Sequence, residues 1–197
     1  MYNCIYSAYC LNTECDQSCP SYAEISYLLE RNNIDINNPC FSASKDSIDT
    51  ASKVLDACKN RVGCWISHNN PEGTADLFTY CAICEHGKGS QLHCNVYHLN
   101  YSKYVEMMRD SWKLANKPED LEYIDIFIKS SYVLIISGLR YIKFNDFECQ
   151  TLLRLLDERA SKQKTTLVIT PELSSLVGAS ADFLPRLKNM LGGVILS

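Results

Sequence analysis

Two short runs, SYVLIIS at 131–137 and KTTLVIT at 164–170, constrain this 197-residue chain more than any other feature. Both are rich in apolar and β-branched residues and lack the polar–apolar alternation of a strand with one wet face. A strand covered on both faces reads as such a continuous run, and that pattern belongs to parallel sheets with helices above and below. GCWIS (63–67) is a shorter run of the same kind, HCNVYHLNY (93–101) alternates, and GGVILS (192–197) closes the chain. Between these segments the apolar spacing turns helical. DSIDTASKVLDACKNRV (46–62) repeats Ile48, Val54, Leu55 and Cys58, TADLFTYCAICEH spans 74–86, and SKYVEMMRDSWKLANK (102–117) gathers Tyr104, Met107, Met108 and Trp112 on one side. In NDFECQTLLRLLDERASKQ (145–163), Asn145 and Glu148 form a capping box ahead of Leu152, Leu153, Leu155 and Leu156. PELSSLVG (171–178) and SADFLPRLKNML (180–191) read as helical turns, and 118–130 as a charged connection. Strands alternating with helices predict an α/β fold, a three-layer domain around a mostly parallel sheet.

The chain is 46% hydrophobic and 21% charged, with a net charge of −4, so bulk charge does not draw it to polyanions. No apolar run is long enough to cross a membrane. The opening MYNCIYSAYC lacks the basic and apolar regions of a secretory leader, so the expected compartment is the cytoplasm. There the eleven cysteines are expected to be reduced, and clustered ones become candidate metal ligands. Cys4, Cys10, Cys15 and Cys19 fall in one loop-rich segment. Four thiolates can close a tetrahedral zinc shell and replace the core that such a segment lacks. An iron–sulfur cluster, or apolar filling around Tyr2, Tyr6 and Tyr9, are the alternatives. SYAEISYLLERNN (21–33) follows as a helix with Ile25, Leu28 and Leu29 on one face and Ser21 as its cap. The expected organisation is a cysteine-rich module and helix at 1–32, a linker rich in Asn and Ser at 33–45, and the α/β domain at 46–197. A second group, Cys81, Cys84, His86, His93, Cys94 and His98, contains a CxxC pair; its cysteines read first as helix packing residues and second as metal ligands.

GCWISHNNPEGTADLF (63–78) has the layout of a strand, a turn-rich loop and a helix, as in a phosphate-binding GxxxxGK[ST] loop. The matching frame is His68 to Ala75. Gly73 keeps the second glycine, but Thr74 stands in place of the lysine and Ala75 in place of the magnesium-binding hydroxyl. Glu72 adds a negative charge that would oppose a phosphate by about 1–4 kcal/mol, depending on effective dielectric. A metal-binding strand of an ATPase ends in carboxylates; YVLIIS instead runs into Ser137 and Gly138.

The order of parts resembles replicative-helicase loaders of the phage DnaC/DnaI kind, which are AAA+ ATPases. The resembling pieces are the cysteine-rich start CIYSAYCLNTECDQSCP, the helix and strand DSIDTASKVLDACKNRVGCWIS, the strand YVLIIS, and the helix and strand FECQTLLRLLDERASKQKTTLVIT. The family's sensor asparagine is replaced in Thr170-Pro171-Glu172, and Arg186 is the one candidate for its arginine finger. The resemblance implies an AAA+ core, a zinc module and a helicase or helicase loader as partner. The replaced residues turn that expectation toward a pseudo-ATPase with no ATP cofactor, acting as an adaptor or inhibitor of DNA replication in a phage or mobile element. A loader-type ATPase that retains weak nucleotide binding is one alternative. Another is a single-stranded DNA-binding accessory protein, resting on Arg140, Tyr141, Lys143 and Phe144 in GLRYIKFND, where charge and stacking could hold a strand. Cys64 and Cys149 have no nearby His–acid partner in sequence and read as packing residues rather than nucleophiles.

Overall fold

Seven helices and five strands are present among the residues that the computed structural model describes, namely 20–34, 45–59, 63–86, 96–114, 117–172, 176, 178 and 182–195. In chain order they are α1 (Pro20–Arg31), α2 (Lys45–Lys59), β1 (Gly63–Ser67), α3 (Pro71–His86), β2 (Val96–Asn100), α4 (Tyr101–Ser111), α5 (Glu119–Ser130), β3 (Val133–Ser137), α6 (Asp146–Ser161), β4 (Thr165–Thr170), α7 (Phe183–Met190) and β5 (Gly192–Ile195). A single 3-10 turn, Leu139–Tyr141, follows β3. The strands form one sheet in the order β2-β3-β4-β1-β5, with every pair parallel.

The apolar runs produce the expected three layers. Along β3, Val133 and Ile135 join a core with α1, α2 and α3, while Leu134 and Ile136 join a second core with α4, α5, α6 and α7. In β4, Leu167 and Ile169 face the first core and Val168 the second. This is two-sided burial from side chains that alternate across the strand. The capping box of α6 forms as expected: the Asn145 side chain accepts from the backbone of Phe147 and Glu148, and Glu148 reaches back to the Asn145 amide at 2.9 Å. The other Glu148 oxygen takes the Arg109 guanidinium, so this fully buried carboxylate is satisfied on both sides.

Four expectations need correction. The charged connection at 118–130 is the helix α5; Glu119, Asp120 and Glu122 crowd its first turn, where the helix dipole favours acids. Ser21 lies inside α1 rather than before it. Helix α3 begins at Pro71, three residues earlier than read. Pro171 and Glu172, the start of the expected turn at 171–178, are not helical.

Helix α1 is docked on the sheet. Leu28 and Leu29 enter the first core, Arg31 donates to the carbonyl of Val96 at 2.8 Å, and the Asn32 side chain accepts from the amide of His98 at 2.7 Å. These bonds lie along β2, the last strand on that side of the sheet. At the amino ends of β3 and β4, Arg159 is 3% exposed. It donates to the carbonyls of Ile128, Ser131, Tyr132 and Thr165 and to the hydroxyl of Thr166, at 2.7–3.1 Å. One guanidinium therefore ties α5, β3, β4 and α6 together, and burial lowers its pKa to about 10.

Candidate functional site

The carboxyl ends of β1, β3 and β4 meet along one edge of the sheet, where open α/β folds place their ligands. The segments read as phosphate loop (His68, Gly73, Thr74, Ala75) and metal strand (Ser137, Gly138) both lie at this edge, with β4 between the two strands.

The loop itself is short. Only His68, Asn69 and Asn70 separate β1 from α3, and Gly73, Thr74 and Ala75 lie inside the helix. The reason is local: Asn70 caps the helix and Pro71 occupies its first position, where a missing N–H costs nothing. Asn70 Oδ1 accepts from the Gly73 amide at 3.2 Å. The Asn70 amide donates to His68 Nδ1 at 3.1 Å, which makes that nitrogen an acceptor. The Thr74 hydroxyl lies 2.7 Å from the same nitrogen and 2.7 Å from the Asn70 carbonyl, and has one proton to give. A phosphate cradle needs several backbone amides aimed at one anion. Here the amides of Asn70 and Gly73 are taken by side chains of the loop, and Pro71 has none.

Glu72 and Arg140 close this edge from above. Arg140, in the turn after β3, donates to Glu72 Oε2 at 2.6 Å, and its guanidinium lies 4.7 Å from the ring centre of Tyr141. The ion pair joins the two segments that, in an ATPase, hold phosphate and metal. Glu72 Oε1 is buried and meets no hydrogen-bond partner among the described residues. An acceptor of this kind calls for a donor, not for an anion.

Beneath lies a relay that sequence reading did not connect. His98 on β2 sits 3.2 Å from Asp76 of α3 through Nδ1, and 2.8 Å from the Ser137 hydroxyl through Nε2. Acid, imidazole and hydroxyl in this order can activate a nucleophile. Ser137 is 0% exposed, and the side chains of His98 and Asp76 are each 12% exposed. The relay ties α3, β2 and β3 together. Gly138 follows with φ of +79°, and a Cβ there would come within 2.5 Å of Asn100 Oδ1, the cap of α4. A strand periodicity that places His98 on the same face as Val96 was the only sequence signal for this network.

The remaining expected site residues separate. Cys4, Cys10, Cys15, Cys19 and Cys94 lie outside the described residues, as do the side chains of Cys84 and His86. Cys81, Cys64 and Cys149 are buried in the cores. No cluster of three or more His, Cys, Asp or Glu with metal-binding geometry occurs among the described residues. Arg186 is exposed on α7. The basic–aromatic stretch divides: Phe144 is buried against Tyr101 and Phe183, whereas Tyr141 is 61% exposed.

This architecture has solved counterparts. The chain is similar to DnaA from Aquifex aeolicus bound to AMPPCP, with a TM-score of 0.57 and 14% identity over 82% of this chain and 51% of that one. It is also similar to the replication initiator DnaA bound to AMPPCP and single-stranded DNA, with a TM-score of 0.55 and 12% identity over 92% of this chain and 50% of the other. The chain therefore shares the α/β fold of these DnaA structures. The chain spans about half the length of these DnaA chains. No family model matches it, and no curated protein does. Among the described residues no helix is long and apolar enough to cross a membrane.

Proposed function

We propose that this chain is a nucleotide-independent AAA+-fold protein that acts by protein contact on DNA replication machinery, as an adaptor or inhibitor. The observation that carries the reading is the occupied phosphate position: His68, Asn70 and Thr74 bond to one another, and Glu72 places its charge at the start of α3 beside Arg140. Phosphoryl transfer rests on positioning and charge stabilisation, and the groups at this edge supply neither for a triphosphate. The likeness to DnaA supports a replication setting. A replicative helicase or helicase loader is the proposed partner, held in part by a zinc module on Cys4, Cys10, Cys15 and Cys19. Arg186, exposed on α7, is the residue we assign to complete a neighbouring subunit's site.

Calorimetric titration with ATP and magnesium tests the central claim. The expected result is no magnesium-dependent binding at concentrations up to about 1 mM, which corresponds to less than roughly 4 kcal/mol of affinity. Micromolar, magnesium-dependent binding with turnover would overturn it.

A second reading, contact with single-stranded DNA, is favoured by one feature. Arg140 is stacked on the exposed ring of Tyr141, with Lys143 exposed two residues on. Such a pair offers a base both charge and a π face. Binding that weakens steeply with salt and is lost in Tyr141→Ala would select this reading over the adaptor.

A further inference from the structure

Away from the edge described above, residues of α4, α5, α6 and the turn after α6 line a half-open cavity of about 280 Å³. Five cations line it: Lys129, Arg154, Arg159, Lys162 and Lys164. The lining carboxylates are two, Asp125 and Glu158. Asp125 is already engaged, accepting from the Tyr104 hydroxyl at 2.9 Å and from the ammonium of Lys117. Arg159 and Lys164 are engaged within the protein: Arg159 with carbonyls and hydroxyls as described, and Lys164 with the carbonyls of Lys129 and Ser130. That leaves Arg154, Lys129 and Lys162, none of which has a carboxylate within 4.0 Å among the described residues. The carboxyl ends of α5 and α6 add about half a negative charge each. They reduce the surplus without cancelling it. Burial and the neighbouring charges of Arg159 and Lys162 push the Lys164 pKa down, as expected where cations crowd.

The walls are not uniformly polar. Ile128, Leu155 and the ring of Tyr104 form an apolar side. A cavity with one apolar wall and a fork of unspent cations suits an anion with an organic body. Arginine and lysine together favour phosphate oxygens, arginine by its planar fork and lysine as a point charge. The volume lies just below the roughly 300–1,000 Å³ of sites that take drug-sized ligands, which limits the occupant to a small molecule.

We propose that this cavity binds a small phosphate monoester, of about nucleoside-monophosphate size, without a metal ion. Arg154 and Lys162 hold the phosphate, and Ile128, Leu155 and Tyr104 cover the body. The site is separate from the loop at His68–Asn70, and its occupancy does not depend on how that loop is read.

The test is calorimetric titration of the full chain, without magnesium, using AMP, adenosine and inorganic phosphate as probes. AMP is expected to bind with a dissociation constant of about 1 mM or tighter. Adenosine and inorganic phosphate are each expected to bind at least about tenfold more weakly. The paired substitution Arg154→Gln with Lys162→Gln should weaken AMP at least about tenfold. Both residues are exposed, so the melting temperature should stay within about 2 °C of the parent. Four results would each overturn the proposal: no AMP binding below about 10 mM; adenosine binding as tightly as AMP; inorganic phosphate binding as tightly as AMP; or undiminished AMP binding in the paired variant. Magnesium-dependent ATP binding that survives the paired substitution would instead count against the occupied-loop reading and leave the cavity's own probes to decide its case.

Discussion

The two ends of the sheet handle charge in opposite ways. At the carboxyl end, acids and bases meet each other: Glu72 with Arg140, Asp76 with His98, and His68 with its own loop. At the amino end, Arg159 is buried without a carboxylate and is met by carbonyls and hydroxyls, with further cations beside it. The first arrangement has little demand for an outside anion and the second keeps a surplus positive charge. In this fold, the edge where ligand chemistry is expected is the one where acids and bases pair with each other, with Glu72 Oε1 left over as a buried acceptor.

The contrast can be broken most severely at Arg159. Replacing it with Leu leaves the carbonyls of Ile128, Ser131, Tyr132 and Thr165 short of a donor. We expect a loss of about 3–5 kcal/mol in denaturant-midpoint measurements, the range for breaking a buried charged network. A loss under about 1 kcal/mol, the worth of one ordinary hydrogen bond, would show that this end is no better anchored than the surface.

A smaller effect is expected from alkali. Burial raises the pKa of Tyr97, Tyr101 and Tyr104 above the ordinary 10.0, with the charge of Asp125 adding to the effect on Tyr104. The unfolded chain releases these protons first, so their contribution to stability is whole below pH 10 and falls as the pH climbs toward the higher folded values. Unfolding midpoints should therefore drop between about pH 10 and pH 11 in step with late tyrosinate absorbance at 295 nm. Tyrosinate that appears fully at pH 10 in the folded protein would contradict the burial.

The smallest effect belongs to Glu72 and Arg140, whose side chains are 29% and 35% exposed. A double-mutant cycle with alanine at each should return a coupling of about 0.2–1 kcal/mol. A coupling of several kcal/mol would mean that this end, too, is a buried network and would erase the comparison.

The sheet was legible because two-sided burial leaves a continuous apolar run, as in VLIIS and TTLVIT. Helix α5 was hidden because its apolar residues do not keep to one stripe: Leu121 and Ile128 are buried, while Tyr123 and Ile126 face solvent. Its acidic first turn was a usable start signal that net charge obscured. The start of α3 was legible in Asn70-Pro71, a cap followed by a first-position proline; fitting the segment to a phosphate-loop frame masked it. Ser137 ends β3, and Gly138 follows it, at the edge where the loop after β1 lies, with β4 between the two strands. The pairings at this edge were out of reach of local pattern. Arg140 and Glu72 lie 68 residues apart, and His98 and Ser137 39 apart, so only the assembled sheet brings them together.

The way α1 sits on β2 has a consequence for assembly. A sheet's outermost strand is a template onto which a foreign extended segment can zip, backbone to backbone. Here the Val96 carbonyl and the His98 amide, two of the groups such a segment would need, are already held by Arg31 and Asn32. Edge-to-edge growth on this flank, into a mixed sheet or a fibre, would first require α1 to be peeled away. Partners approaching from that side must therefore recognise a helix rather than extend a sheet.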